Sequence, residues 1–159
     1  MVISANEISL RKASSTDRAF ILSLSPILAK SAKLSWHNDF VVQKFQDDYI
    51  CEALDKLQGA HLTLIAEKNG VSLGFINMCE VEDGHSGESC GSVPLLAVSP
   101  QAQGMGVGQI LMLAAENWAK EQGYRLLHLE VFSNNDGARR FYQKSGFEEE
   151  TLVMIKTLS

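Results

Sequence analysis

A glycine-rich segment restricts the fold of this chain more than any other sequence feature. Glycine occupies three alternate positions within residues 104–108, after the apolar run Val93–Val98 and at the start of the helical pattern Gly106–Gln122. Glycine permits tight turns and lets backbone amides approach a ligand without interference from a Cβ atom. The free N–H groups and the dipole of a helix N-terminus favour an anion. The segment therefore predicts a strand-to-helix turn, which is either a phosphate site or a flexible connection.

Two well-known phosphate loops do not fit this turn. A P-loop needs Lys followed by Ser or Thr after the last glycine, and the chain has Gln109 and Ile110 there. A dinucleotide fingerprint would need glycine at position 109 or 111, and Leu111 occupies the second of these. Glu130 lies at about the distance downstream at which a ribose-binding acid would lie. However, the strand before the turn does not open the chain, as it would in a dinucleotide-binding fold, because a meander precedes it. The sequence thus disfavours a nucleotide triphosphatase and a dinucleotide-binding oxidoreductase.

Hydrophobic periodicity predicts a strand and helix order of βααβββαβαβ. The predicted strands are Glu7–Ala13, His61–Glu67, Val71–Met78, Val93–Val98, Arg125–Phe132 and Thr151–Leu158. The predicted helices are 17–28 with a break or kink at Pro26, Asp39–Leu57, Gly106–Gln122 and Asp136–Lys144. Asn69-Gly70 predicts a hairpin, and Asp83–Gly91 a loop. Residues 1–159 are expected to form a single α/β (α+β) domain, with a mixed, mostly antiparallel central sheet flanked by helices.

Composition excludes several functional classes. The 159 residues are 45% hydrophobic and 21% charged, as in ordinary globular domains, and the net charge of −5 opposes binding to nucleic acid or anionic lipid. The longest apolar stretch, Ile110–Ala115, is far too short to span a bilayer. The first residues lack the basic and apolar regions of a secretory signal. A cytoplasmic protein without nucleic-acid or membrane partners is therefore expected.

The chain contains three cysteines, Cys51, Cys79 and Cys90. Their number is odd, and no two of them are separated as in a CxxC motif. This pattern predicts reduced thiols, without a disulfide framework or a structural zinc site.

Two motifs at a consistent separation resemble the GNAT superfamily of acyl-CoA-dependent N-acetyltransferases. The first is Gln103-Gly104-Met105-Gly106-Val107-Gly108, preceded by the strand end Leu96-Ala97-Val98 and Pro100. The second consists of Leu129-Glu130-Val131, Asn135-Asp136-Gly137-Ala138, Phe141-Tyr142 and Gly146-Phe147. The resemblance spans about residues 64–147, and the order of elements agrees with the family fold.

The resemblance implies acetyl-CoA as cosubstrate and no metal. Backbone amides of the glycine turn would hold the pyrophosphate, and one strand edge would bind the pantetheine arm as an added strand. A bulge would separate that strand from the next one and leave a slot for the thioester, where an N–H group would face the carbonyl oxygen. The residues implied in cofactor binding are Leu96, Ala97, Val98, Gln103, Gly104, Met105, Gly106, Val107, Gly108, Gln109 and Asn135. Asn135 could equally be an ordinary helix N-cap.

The same resemblance implies two catalytic residues. Tyr142 occupies the position of the general acid that protonates the CoA thiolate, although it could also be a core aromatic. Glu130 occupies a position where some members carry the general base, although it could also be a surface carboxylate of a strand. Glu80, Glu82, Glu88 and a water relay are further candidates for the base.

The chain departs from relatives that carry His-Gly-His and Asp before the Leu-Ala-Val strand end. It has Cys90-Gly91-Ser92 and Leu95 there, so analogy with those relatives does not assign a base. Cys90 could be an acetylated nucleophile, but direct transfer is the family norm. The acceptor pocket is expected from the N-terminal part and the acidic loop 80–88. Its candidates, which could also be core residues, are Trp36, His37, Phe40, Phe45 and Tyr49.

The sequence therefore predicts an enzyme that transfers an acetyl group from acetyl-CoA directly to a primary amine. The amine could be a small molecule or an amino group of a peptide or protein. A non-catalytic acyl-CoA-binding regulatory module is the alternative, and it would need neither Tyr142 nor Glu130. Because members of the family often dimerise, a homodimer is also expected from the resemblance.

Overall fold

The computed structural model describes residues 7–159, which form one five-stranded sheet with helices on both faces. Met1–Asn6, on which the expectation of no secretory signal rests, lies outside the described residues. The strands are β1 (Ser9–Lys12), β2 (His61–Lys68), β3 (Val71–Glu82), β4 (Ser89–Val98) and β5 (Leu127–Leu129).

Five α-helices in the described part of the chain connect or cover these strands. They are α1 (Arg18–Ser23), α2 (Ser25–Lys30), α3 (Asp39–Leu54), α4 (Val107–Glu121) and α5 (Asp136–Lys144). The predicted break near Pro26 is confirmed, because Leu24 separates α1 from α2 and Pro26 lies in the first turn of α2. Proline is tolerated there, since the first amides of a helix have no intrahelical partner. Within residues 7–159, none of the helices combines the length and apolar character that crossing a bilayer requires.

The sheet order is β1-β2-β3-β4-β5, antiparallel from β1 to β4 and parallel between β4 and β5. Asn69 and Gly70 both have positive φ angles, 53° and 76°, and form the predicted hairpin between β2 and β3. The parallel pair needs a crossover, which α4 supplies. The predicted mixed, mostly antiparallel sheet is confirmed.

A bulge in β4 changes the register of its pairing with β3. Cys79 lies opposite Ser92, but Asn77 lies opposite Leu95, so Val93 and Pro94 together face one residue of β3. The extra residue also reverses the alternation of side chains. Val93 packs into the core beneath α4, and Leu95 packs into the core on the opposite face, beneath α1 and α3.

The predicted final strand Thr151–Leu158 is wrong. In the described part of the chain, residues 148–159 make no backbone hydrogen bond to another segment, and Leu152, Val153 and Met154 are exposed. Strand propensity alone does not make a strand, because the ladder needs a partner edge. The predicted strand Arg125–Phe132 is also shortened to β5, and α3 ends at Leu54 rather than Leu57.

Candidate active site

The parallel pairing between β4 and β5 ends early and leaves a wedge between them. The register contains three pairs, from Gly91 opposite Leu127 to Val93 opposite Leu129. The next residue of β4 is Pro94, which has no N–H group and lies in the bulge. Among the described residues 7–159, none pairs with residues 95–98 on the β5 side, and this gap is the opening that the resemblance implied.

Backbone alternation determines which groups face this wedge. The Ser99 amide donates to the Leu73 carbonyl at 2.8 Å, so it points toward β3. In an extended strand, alternate residues direct their N–H and C=O groups to opposite sides. The backbone groups of Leu96 and Val98 therefore point into the wedge, and those of Ala97 point toward β3. Of the three strand residues predicted to bind the cofactor, Leu96 and Val98 therefore present backbone hydrogen-bonding groups to the wedge, and Ala97 does not.

The glycine turn leaves a cluster of amides without protein partners. Gly104 and Gly106 have φ angles of 80° and 79°, a conformation that favours glycine. The first intrahelical bond of α4 runs from the Ile110 amide to the Gly106 carbonyl. Within residues 7–159, the amides without a hydrogen-bond partner in this turn are those of Gly104, Gly106, Val107, Gly108 and Gln109.

Two other predicted residues of this turn are already engaged. The Gln103 amide donates to the Pro100 carbonyl and the Met105 amide to the Ala102 carbonyl, at 3.4 and 3.3 Å. The Gln103 side chain donates to the Val98 carbonyl at 3.2 Å, which ties the turn to the end of β4. The first turn of α4 contains no acidic residue. The arrangement suits an anion at the helix N-terminus.

Asn135 and Tyr142 lie on α5, whose Phe141 ring packs against the start of α4. Asn135 caps α5, and its Oδ1 accepts from the Ala138 amide at 3.2 Å, so the N-cap interpretation is correct for this atom. The half-buried Tyr142 ring contacts Phe141 and Phe147, with ring centroids 5.5 and 5.9 Å apart. Burial raises the pKa of the Tyr142 phenol, which keeps it protonated.

Glu130 directly follows β5 and is exposed. Burial, followed by the Glu130 charge, raises the pKa of Tyr49 on α3, so the carboxylate acts on the α3 side of the sheet. Tyr142 instead packs into the core beneath α4. The two predicted catalytic residues therefore belong to opposite faces of the sheet.

A cavity of about 190 Å³ lies between α3 and the sheet, next to the β4 bulge. It is lined by Tyr49, Glu52, Ala53, Lys56, Asn77, Cys79 and Pro94. Asn77 is 2% exposed, and its Nδ2 donates to the Thr63 hydroxyl at 2.9 Å. Its Oδ1 is buried without any hydrogen-bond partner in the described chain. An unpaired buried acceptor is costly, which makes it a candidate contact for a ligand donor.

Of the five residues predicted to form the pocket for the acceptor amine, Tyr49 alone lines this cavity. The Phe45 ring stacks on the Tyr49 ring, with the ring centroids 5.7 Å apart. Phe40 is exposed, as are Trp36 and His37.

Two predicted acidic residues are used elsewhere in the fold. Glu80 accepts from the Tyr124 hydroxyl at 2.7 Å, and Glu88 pairs with Arg125 at 2.5 Å. Cys90 is fully buried, and burial raises the pKa of its thiol, which opposes a role as a thiolate nucleophile.

Sequence reasoning missed three polar residues of the cavity. Glu52 follows Tyr49 by three positions, which places both on the same face of α3, and Lys56 lies just beyond the end of that helix. Asn77 is a polar residue within the otherwise apolar run of β3. The helical spacing and the lone polar residue were the available signals.

Residues 27–147 match the Acetyltransferase (GNAT) family. An uncharacterized N-acetyltransferase of Methanocaldococcus jannaschii is 32% identical over 90 residues, which cover 56% of this chain and 40% of the relative. The aminoalkylphosphonate N-acetyltransferase of Salmonella typhimurium is 28% identical over 121 residues, 76% of this chain and 77% of the relative. The chain spans between 36% and 59% of the length of four relatives, among them two mycothiol acetyltransferases.

Solved structures share the fold. A GCN5-related N-acetyltransferase from Ralstonia eutropha superimposes with a TM-score of 0.73 at 19% identity, over 95% of this chain and 99% of that one. An aminoglycoside N-acetyltransferase in complex with CoA superimposes with a TM-score of 0.65 at 20% identity, over 99% of each chain. Both the match over most of the chain and the wedge beside the glycine turn lead to one conclusion: this chain belongs to the GNAT acetyltransferase family.

Proposed function

We propose that the protein transfers an acetyl group from acetyl-CoA directly to a primary amine. The observation that carries this proposal, within residues 7–159, is the open β4 edge formed by the backbone groups of Leu96 and the amide of Val98, directly beside the unpartnered amides of the glycine turn. A relative named for aminoalkylphosphonates and a fold neighbour named for aminoglycosides support an amine acceptor. The CoA complex of the latter supports CoA as the cosubstrate.

The two halves of the cofactor match the two backbone features. The pyrophosphate binds the five open amides at the start of α4, where the helix dipole also favours negative charge. The pantetheine arm then runs along the open edge of β4 and hydrogen-bonds to Leu96 and Val98, as an added strand would. Backbone donors replace the basic side chains that a chain with a net charge of −5 has in short supply.

The reaction proceeds through a tetrahedral intermediate in the wedge. The amine attacks the thioester carbonyl, and the Leu96 amide donates to the oxygen as negative charge develops on it. Collapse of the intermediate breaks the C–S bond. Tyr142 donates its phenolic proton to the departing thiolate, and the surplus proton on the nitrogen passes to the tyrosinate, directly or through water, which restores the phenol. Asn135 contacts the cofactor with the part of its side chain that does not cap α5.

The acceptor enters from the opposite face, through the cavity beneath α3. An alkylamine has a pKa of about 10 and must lose a proton before it attacks. Glu130 accepts this proton, directly or through water, on the face of the sheet that carries the cavity. The Asn77 carbonyl oxygen and the Glu52 carboxylate provide acceptors for the amine protons, so the cavity suits a small cationic amine.

The test combines acetyl-CoA with a panel of small amines, amino-terminal peptides and lysine peptides, and measures released CoA with a thiol reagent. We expect release that depends on one class of amine, together with a product heavier by one acetyl group. Saturable acetyl-CoA binding without release for any amine would instead support the non-catalytic module. The cytoplasmic location and the homodimer stay predictions.

A further inference from the structure

Three side chains of different chemistry converge at the closed end of the wedge. Asp83 directly follows β3, Cys90 lies on β4 and His128 lies on β5. The His128 Nε2 atom is 3.1 Å from Asp83 Oδ2 and 3.6 Å from Cys90 Sγ. The three ligand atoms all lie within 4.8 Å of one another.

The geometry points to a binding site for a divalent transition-metal ion of the zinc type, held by Asp83, Cys90 and His128. This inference is independent of the proposed acetyl transfer, which needs no metal. The sulfur, nitrogen and oxygen donors are those that zinc prefers, whereas magnesium and calcium prefer oxygen donors alone.

The distances fit a tetrahedral ion. With the usual zinc bond lengths, tetrahedral angles place sulfur and nitrogen about 3.5 Å apart, and nitrogen and oxygen about 3.4 Å apart. The observed separations are 3.6 and 3.1 Å. These two separations are within a few tenths of an ångström of the tetrahedral values, and the sulfur and the carboxylate oxygen lie within 4.8 Å of each other. An ion therefore fits among the three atoms once the sulfur and the oxygen stand at a tetrahedral separation, with the fourth position left to water.

The Asp83 carboxylate is held in place for such a role. Its Oδ1 atom accepts from the Ser86 amide, the His85 amide and the Ser86 hydroxyl, at 2.8, 2.9 and 3.1 Å. These donors leave Oδ2 to face His128. A fixed ligand of this kind is the usual arrangement around bound metals.

Metal binding changes the protons on both Cys90 and His128. The Cys90 S–H bond breaks as the S–metal bond forms, and its proton leaves to solvent. The Nε2 lone pair of His128 faces the ion in the metal-bound form; a proton on Nε2, which lies 3.1 Å from Asp83 Oδ2, leaves to solvent or moves to Nδ1 as the N–metal bond forms. No electron transfer is involved. The bound ion would join the end of β3 to both strands of the three-pair β4–β5 ladder, where His128 lies opposite Ser92.

The experiment uses the full-length protein, stripped of metal and titrated with Co²⁺ and then Zn²⁺. We expect one Co²⁺ per chain with a thiolate charge-transfer band, displacement of that band by Zn²⁺, and a Zn²⁺-dependent rise in Tm. The C90S variant should lose the charge-transfer band. The H128A variant should raise the Kd for Co²⁺ by about 100-fold or more.

Matched controls separate this site from the other thiols and histidines. The C51S, C79S and H61A variants leave the cluster intact and should retain the wild-type band and Kd. Circular dichroism of each variant establishes that it is folded, and D83N provides a second ligand variant should H128A be unstable.

Two results would overturn the inference. One is a folded wild-type protein that gives no cobalt–thiolate band, which would make the cluster a plain His–Asp ion pair beside a buried thiol. The other is a folded C90S variant that keeps the full band.

Discussion

Val93 lies opposite Leu129, and this pair is the last one in the parallel ladder between β4 and β5. The bulge that follows at Pro94 moves the strand out of phase by one residue, so Leu96 rather than Leu95 presents its amide to the open side. A local irregularity therefore both opens the wedge and selects the donor that faces it.

Replacing Gly106 with alanine should weaken acetyl-CoA binding. Gly106 has a φ of 79°, and no atom lies within 4 Å of the place that a Cβ atom would take, so the protein itself has room for the methyl group. The methyl group would occupy the space in front of the open amides. Loss of one hydrogen bond to a charged group costs about 1.5–3 kcal/mol, which corresponds to at least about a tenfold rise in the KM for acetyl-CoA.

Gly70→Ala is the matched control, since Gly70 has a φ of 76°, equally empty surroundings and a position in the β2–β3 hairpin. Both variants should lose about 1–2 kcal/mol of stability through left-handed backbone strain. Only Gly106→Ala should change the KM. Equal KM values in the two variants would contradict the pyrophosphate assignment.

Tyr142→Phe should lower kcat by about 100-fold and leave the KM for acetyl-CoA nearly unchanged, because it removes a proton donor and keeps the ring. Burial holds the pKa of Tyr142 above its ordinary value of 10.0. The wild-type rate should therefore show no alkaline decline from this group below about pH 10. Tyr124→Phe is the control, since it deletes a partly buried hydroxyl that bonds to Glu80 away from the wedge. Full turnover by Tyr142→Phe would remove Tyr142 as the acid.

Glu130→Gln should reduce kcat at neutral pH, with recovery as the pH rises and the amine loses its proton unaided. Glu52→Gln changes a carboxylate that lines the cavity, so it should raise the KM for the amine and largely retain kcat. The pH profile of kcat for both variants distinguishes the roles. An unchanged rate and profile in Glu130→Gln would eliminate Glu130 as the base, and a kcat loss confined to Glu52→Gln would move that role to Glu52.

The sequence allowed the local features of this site to be predicted, but not the features that depend on register. The glycine turn, α4 and the Asn135 cap follow from spacing and capping preferences. The contacts of His128 with Asp83 and Cys90 join three segments up to 45 positions apart, and no spacing rule indicates them. Residues 151–158 have strand propensity without a strand partner, and propensity does not show whether an edge is available.

Asn77→Leu should raise the KM for the amine without a matching loss of stability. The substitution removes the unpartnered buried Oδ1, which is a favourable change, but it also leaves the Thr63 hydroxyl without its donor. These two effects oppose each other, so the net change in unfolding free energy should stay within about 1 kcal/mol. Acceptor kinetics and urea unfolding on the same variant separate the effects. An unchanged KM for the amine would show that Asn77 does not contact the acceptor.

Asp17→Asn should lower the free energy of unfolding at neutral pH and make that free energy depend less on pH in the acid range. Arg11 hydrogen bonds and the Ser14 amide lower the pKa of the buried Asp17 from 3.8 to about 2. Because the folded state binds this proton more weakly than the unfolded state, the stabilisation is complete above about pH 4 and is lost as the pH falls toward 2. We expect a loss of about 1–3 kcal/mol at pH 7 and a flatter decline between pH 4 and 2, where Asp83 still contributes.

Asp55→Asn is the control, because it removes an exposed partner of an arginine and should change stability by less than about 1 kcal/mol. Urea unfolding of the three proteins at pH 7, 4 and 2.5 measures the difference, and parallel curves for wild type and Asp17→Asn would contradict it.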